Sequence, residues 1–153
     1  MKRTLQLGVA LGGIALFVIA IAPASQALDR PGTIRITTRE VGHRVIDHGP
    51  RGRGPGDVEV SRSLLYNKGV TPRAIGHGEV VCIFTGKRSR VCNGTFFLPR
   101  GKIMVSGALV FREFFEFAVV GGTGLYNNVD GTLTVTSIRP RPRRDILTFR
   151  LLV

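Results

Sequence analysis

The stretch FAVVGGTGLY, residues 117–126, decides how this chain folds. An apolar run enters a cluster of glycines, and an alternating apolar run leaves it after residue 131. Glycine reaches backbone conformations that are closed to other residues, so we expect a structural corner at which two strands crowd together. No Gly-Lys-Ser/Thr and no helical period follow, which disfavours a phosphate-binding loop. The corner comprises Gly121, Gly122, Thr123 and Gly124.

The rest of the chain beyond residue 32 is a series of short apolar runs separated by Gly, Pro and Asn. Residues 33–39 and 132–138 alternate apolar and polar side chains, as strands with one buried face do. We find no amphipathic stretch of helix length after residue 27. About eight strands with hairpin-length links favour a closed antiparallel barrel, because closure removes exposed strand edges. A β-sandwich is the main alternative.

Residues 1–27 have the pattern of a bacterial signal peptide. Two cationic residues precede an apolar stretch at residues 5–22, and small residues follow at the spacing that signal peptidase reads. We expect cleavage after Ala27, with Ala24 as the alternative, and a secreted product with no second membrane-spanning stretch. Retention as a membrane anchor is disfavoured by the short cationic region. Residues 28–153 then form one barrel domain of ordinary size.

The chain has two cysteines, Cys82 and Cys92, which flank a short charged segment. Residues 85–90 have the composition of a hairpin turn between apolar strands. In an oxidising compartment such a pair is more often a disulfide than a metal or catalytic site. We therefore expect a disulfide that crosses the hairpin, with two reactive thiols as the alternative.

The formal net charge is +12, and the basic residues cluster at 51–53, 87–90 and 139–144. These positions are expected to be turns or loops. Such charge can attract nucleic acid or an anionic envelope polymer. A solvated surface is the simpler interpretation, since neither an RNA-binding aromatic signature nor a helix-turn-helix pattern accompanies the charge.

The glycine corner and its flanks resemble plant dirigent proteins and allene oxide cyclases. Val-Val-Gly-Gly-Thr-Gly at 119–124 is similar to a dirigent stretch, and the cyclases carry a close variant. Gly56-Asp57, the run Leu64-Leu65-Tyr66-Asn67 and the terminal Phe149-Arg150-Leu151 also resemble strands of these barrels. The resemblance covers residues 33–153 and implies an eight-stranded barrel. Both families also suggest a homotrimer.

The positions that carry activity in those families differ here. Plant cyclases present an inward Glu, and an Asn two residues on, where this chain has Ile36 and Thr38. A further cyclase Asn falls on Ser63, and an inward cysteine falls on Val80. Many dirigents follow the glycine corner with an Asp and an Arg, and this chain has neither at those positions. Neither plant chemistry is therefore carried over, and no catalytic residue is assigned.

The remaining candidates for acid–base chemistry are carboxylates, tyrosines and the three histidines. Strand parity points Glu79 outward, and His43, His48 and His77 lack ligand-like spacing, so we expect no metal site and no cofactor. The interior is expected to be apolar with a few hydroxyl groups, as small-ligand sites are. The expected pocket comprises Ile36, Thr38, Ser63, Tyr66, Val80, Phe96 and Leu133.

Two functions follow from these features. The first is a secreted barrel that binds a small hydrophobic molecule and steers its cyclisation or coupling by holding it in one folded shape. Such a protein either only binds its ligand or is an enzyme, and if it is an enzyme it is of cyclase, isomerase or dirigent type without the plant carboxylate. The alternative is a non-enzymatic envelope or extracellular protein whose basic loops bind polyanions.

Overall fold

The computed structural model of the protein describes residues 32–67, 69–110, 115–140 and 143–152. The expected signal peptide at residues 1–27 lies outside these ranges. Within them, no helix is long and apolar enough to cross a membrane.

Eight strands follow one another along the chain, each paired antiparallel with the next, and the last pairs with the first to close a barrel. The predicted all-β barrel is confirmed, and the alternative sandwich is wrong. The strands are β1 (Gly32–Ile46), β2 (Val58–Tyr66), β3 (Gly76–Phe84), β4 (Ser89–Leu98), β5 (Gly101–Val110), β6 (Phe115–Gly124), β7 (Asp130–Pro140) and β8 (Arg143–Leu152).

The core fills one half of the barrel interior. Alternate side chains of each strand point inward, as the period of two requires. At the end where β1, β3, β5 and β7 begin, these side chains are apolar and form a packed cluster. Phe96 and Phe149 meet there edge to face, with ring centroids 5.3 Å apart. The core of this half includes Ile36, Leu65, Phe96, Ile103, Leu133 and Phe149.

The glycine corner ends strand β6 at this packed end. A Cβ atom on Gly122 would overlap the carbonyl oxygens of Tyr126 and Lys102. Gly124 has φ +64°, a left-handed conformation that favours glycine. The turn itself follows at residues 125–128, so the glycines allow β6 to approach β5 closely just before the chain reverses.

The two cysteines form a disulfide between β3 and β4. Cys82 and Cys92 stand directly opposite each other in the register of these strands. Both point into the barrel, where they are 5% and 0% exposed. The bridge therefore fastens this hairpin from the inside.

Candidate functional site

The half of the barrel opposite the packed core contains a cavity of about 100 Å³. All eight strands contribute side chains to it, and it extends to the end where β1, β3, β5 and β7 finish. Its floor is apolar and its mouth is polar and charged. The floor is formed by Val80, Phe96, Val105, Phe117, Leu133 and Leu147.

Most of the residues predicted to form a pocket line this cavity. Ile36 does not, because it is packed in the core of the closed half. Tyr66 does not either: it is only 2% exposed, but it has the opposite parity to Ser63 and Leu65 on β2, so its side chain lies on the outer face of the barrel. Glu79 points outward, as strand parity predicts, and its side chain is half exposed. The residues brought together at the cavity are Thr38, Ser63, Val80, Phe96 and Leu133.

The expectation of an interior short of carboxylates is wrong at the mouth. Three carboxylates, two arginines and a histidine line the cavity there. Glu59 lies two residues before Ser61 and four before Ser63, both of which face inward, so strand parity alone could have placed it inside. Arg90 lies two residues before Cys92 on β4, so both side chains point inward, but its basic neighbours in the sequence predicted a turn at this position. The charged lining comprises Glu40, His43, Glu59, Arg90, Arg143 and Asp145.

Glu59 and Arg90 form an ion pair across the barrel mouth. Nη1 of Arg90 donates a hydrogen bond to Oε2 of Glu59, and the two side chains are only 9% and 12% exposed. The guanidinium carbon of Arg90 also lies 5.8 Å from the ring centre of Phe84 and 6.0 Å from that of Phe115. Aromatic faces attract a cation at such distances. The pair is therefore held between rings and largely shielded from water.

The carboxylate of Glu59 is ionised at neutral pH. Burial acts to raise its pKa, but the hydrogen bond from His43 and the positive charges of Arg90 and His43 outweigh burial, so the pKa lies below its ordinary value of 4.5. Glu59 can then only accept hydrogen bonds.

His43 reaches the cavity because of a β-bulge in β1. The register of β1 against β2 shifts between Glu40 and Gly42. An extra residue on one strand moves the side chains beyond it to the opposite face. As a result His43 stands opposite Ser61 on the cavity side, and its Nε2 lies 2.8 Å from Oε1 of Glu59. The imidazole remains 39% exposed, so the cavity opens to solvent beside it.

A second charged cluster closes the seam between β1 and β8 at the mouth. Nε of Arg143 donates to Oδ2 of Asp145 at 3.0 Å, and the Ser137 hydroxyl lies 2.6 Å from Oδ1. The backbone N–H of Asp145 donates to the hydroxyl oxygen of Thr38 at 3.2 Å. These bonds satisfy the carboxylate and fix the hydroxyl of Thr38 on the cavity wall.

The loop between β1 and β2 is fastened to the same end of the barrel. The backbone N–H groups of His48 and Gly54 donate to the buried carboxylate of Asp57, each at 2.8 Å, and these bonds lower its pKa. The carbonyl of Asp57 in turn accepts from the N–H of Phe84 at the end of β3. This loop and the 85–88 turn carry the basic residues Arg51, Arg53, Lys87 and Arg88.

Two of the predicted basic clusters therefore lie at the cavity end. The prediction that Arg90 lies in a turn or loop is wrong, because Arg90 belongs to β4 and points into the barrel. In the third cluster, residues 141–142 lie outside the described part of the chain.

No family model and no curated protein sequence matches this chain. Solved structures of other proteins share its fold. A pyocyanin demethylase is 24% identical, with a TM-score of 0.66 over 77% of this chain and 99% of that one. The pterocarpan synthase dirigent protein GePTS1 is 12% identical, with a TM-score of 0.62 over 80% and 83%. The exo-specific intermolecular Diels-Alderase AbnU is 15% identical, with a TM-score of 0.62 over 78% and 97%.

At these identities the similarity establishes the fold and leaves activity open. The strand order, the closure of β1 on β8 and the glycine corner agree with the resemblance found in the sequence. The chain is therefore a closed barrel with the fold of the dirigent proteins and Diels-Alderases.

Proposed function

We propose that the protein binds a small hydrophobic molecule in the barrel cavity and steers its cyclisation or coupling. One observation carries this proposal: the barrel has an apolar-floored cavity that opens to solvent at one end. A barrel filled to both ends by its side chains would have no place for a ligand. The barrels of similar fold include a dirigent protein and a Diels-Alderase, and both names describe control over how reactive molecules join.

The size of the cavity suggests which part of a ligand it holds. A volume of about 100 Å³ is somewhat smaller than the apolar cavities of roughly 150 Å³ that bind benzene. One ring can occupy the floor formed by Phe96 and Leu133 only if side chains at the mouth shift slightly to enlarge the cavity. The rest of a larger molecule would extend through the mouth past Glu59 and His43. Confinement of this kind fixes the orientation of reactive groups and lowers the entropic barrier to reaction.

Binding is tested by fluorine NMR with fluorobenzene as the probe. Val80 lines the cavity, while its neighbour Val81 on β3 is 42% exposed on the outer surface. The two positions therefore offer a matched pair of variants. We expect a saturable shift of the fluorine signal with the wild-type protein and with Val81→Trp. The shift should be lost in Val80→Trp, because the indole fills the cavity. Saturable binding that survives Val80→Trp would contradict the proposal.

Salt separates this function from polyanion binding by the basic loops. Transfer of an uncharged ring into an apolar cavity depends little on ionic strength, whereas binding of a polyanion weakens steeply as salt rises. We expect the affinity for fluorobenzene to be the same at low and high sodium chloride. If heparin alone bound, with steep salt dependence and sensitivity to Arg88→Glu, the surface function would replace the pocket function.

A further inference from the structure

We propose that His43 is a general base in this cavity, oriented by Glu59, and that the protein moves a proton between two atoms of its substrate. This inference rests on the proposed function, because it assigns chemistry to the molecule that occupies the same cavity. The proposed function requires only that the cavity holds the ligand in one shape. The inference adds acid–base catalysis by His43 and a class of substrate.

The geometry of β1 is the first argument. Ile36, Thr38 and Glu40 face the interior, so an unbroken strand would point Gly42 inward and His43 outward. The bulge reverses this order and aims the imidazole at the cavity. Bulges often re-aim side chains next to active sites. The residue that the bulge turns inward here is a histidine, whose two ring nitrogens can donate or accept a proton.

The hydrogen bond to Glu59 is the second argument. An ionised carboxylate only accepts, so Nε2 of His43 carries the hydrogen of the 2.8 Å contact. In a neutral imidazole the other ring nitrogen, Nδ1, is then an acceptor with a free lone pair. A buried carboxylate that fixes the tautomer and orientation of a histidine is the arrangement by which hydrolases prepare their general base.

Arg90 supplies the third argument. The hydrogen bond and charge of Arg90 occupy the second oxygen of Glu59. The carboxylate therefore stays ionised and cannot turn away from His43. Arg90 and Glu59 are positioning residues in this arrangement, while His43 alone contacts the reacting atoms. Glu40 from β1 and the Arg143–Asp145 pair from β8 are the other charged groups that line the mouth around it.

The substrate class follows from the two halves of the cavity. An apolar ring occupies the floor, and a weakly acidic C–H or O–H group beside that ring reaches the mouth. Nδ1 takes this proton, and the released electron pair forms a new bond or shifts a double bond within the same molecule. The imidazole then returns the proton to a second atom. The product is an isomer of the substrate, so the step needs no oxidant, reductant or further reactant.

The test uses 2-indanone in heavy water, because this ketone has a single aromatic ring and two equivalent acidic CH2 groups beside its carbonyl. Nδ1 removes a proton from a CH2 carbon, and the C–H electrons form an enolate. The imidazole proton exchanges with solvent through the open mouth, and a deuteron returns to the carbon as the C=O bond re-forms. Loss of the CH2 signal in proton NMR measures the rate. General bases typically contribute about 10² to 10⁴-fold.

The variants are His43→Gln and, as the matched control, His77→Gln. His77 stacks on Phe97 at a ring distance of 4.3 Å on the outside of the barrel, away from the cavity lining. We expect exchange to fall at least tenfold in His43→Gln and to stay at the wild-type rate in His77→Gln. Equal rates in wild type and His43→Gln, with 2-indanone bound to both, would overturn the inference while leaving the pocket function intact. Failure of 2-indanone and fluorobenzene to bind at all would instead count against the proposed function.

The role of Glu59 has a readout that needs no substrate. Nitrogen NMR of protein labelled in its histidine rings reports which nitrogen carries the hydrogen. We expect a single fixed tautomer of His43 with hydrogen on Nε2, and a mixture of tautomers in Glu59→Gln, which keeps the shape but loses the charge. Exchange of 2-indanone should fall in the same variant. A His43 tautomer mixture in the wild type would contradict the assigned role.

Discussion

Glu59 and Arg90 form an ion pair inside the mouth of the barrel, with side chains that are 12% and 9% exposed. Because Glu59 also accepts a hydrogen bond from His43, one carboxylate links β1, β2 and β4 at this end. Phe84 and Leu109 are buried beside the pair at this end of the barrel. The ion pair and the hydrogen bond from His43 therefore connect these three strands at the end where ligands would enter.

Removing one partner of this pair should destabilise the barrel more than removing both. Arg90→Met leaves the Glu59 carboxylate largely buried beside His43 alone, and we expect a loss of about 3 kcal/mol in the free energy of unfolding, measured in urea. The double variant Arg90→Met with Glu59→Met leaves no uncompensated charge. Its stability should lie within about 1 kcal/mol of wild type. A double variant as unstable as Arg90→Met would show that the pair is unimportant and that packing explains the loss.

Stability should decrease in acid through two carboxylates. The hydrogen bond and charges around Glu59 outweigh its burial, and backbone N–H groups of His48 and Gly54 surround Asp57, so both pKa values lie below the ordinary 4.5 and 3.8. A carboxylate with a lower pKa in the folded state favours folding above its ordinary pKa, and this contribution is lost as pH falls through the folded-state value. We expect the free energy of unfolding to decline below about pH 4.5.

The two carboxylates can be separated by substitution. Asp57→Asn and Glu59→Gln cannot ionise, so each variant should be less stable than wild type near neutral pH and should show a shallower decline in acid. Unfolding in urea at a series of pH values measures how the free energy of unfolding depends on pH in each variant. A variant that carries both Asp57→Asn and Glu59→Gln should lose little stability in acid. If its free energy of unfolding fell as steeply with pH as that of wild type, other groups would be responsible.

The disulfide should resist reduction until the barrel opens. Cys82 and Cys92 are buried against the core and cavity wall, so a reductant reaches their sulfur atoms only through local unfolding. We expect thiol titration after mild reductant to detect almost no free cysteine in native protein and two cysteines when urea is added. Reduction should lower the free energy of unfolding by about 2–3 kcal/mol, as expected for a bridge that closes a short loop. Rapid reduction without urea would show that the barrel opens readily at this hairpin.

Gly122→Ala should destabilise the protein strongly. The added methyl group would overlap two backbone carbonyls, those of Tyr126 and Lys102, which cannot move without breaking the approach of β6 to β5. We expect a loss of at least about 2 kcal/mol in the free energy of unfolding. Gly32→Ala is the control, because a Cβ atom there meets no atom within 4 Å. Equal stability of the two variants would mean that the glycine corner is not closely packed.

The barrel could be predicted from the sequence because its main signals are local. Alternation at 33–39 and 132–138 indicates the inward faces of β1 and β7, and the glycines at 121–124 indicate the corner between β6 and β7. The disulfide was also predictable, because the two cysteines flank a turn and stand opposite each other in the hairpin. The resemblance to dirigent proteins added the closure of the sheet.

Glu59 at the charged mouth could be predicted from strand parity, but His43 and Arg90 could not. His43 faces the cavity only because a β-bulge shifts the parity of β1. The residues around Val41 have no pattern that predicts a bulge at this position. Arg90 could not be placed inside the barrel for another reason. It follows Lys87 and Arg88 in a segment with the composition of one basic turn, but β4 begins at Ser89. Its burial depends on Glu59, which is 31 residues away in the sequence.

The most direct test of the account is to locate a bound ring inside the barrel. Protein with isotope-labelled methyl groups and fluorobenzene should give intermolecular nuclear Overhauser effects in NMR spectra. The account predicts contacts from the ring to the methyl groups of Val80 and Leu133, which line the cavity floor. Contacts only to Val81 and Val120, which are exposed on the outer surface, would contradict the claim that this barrel acts through its cavity.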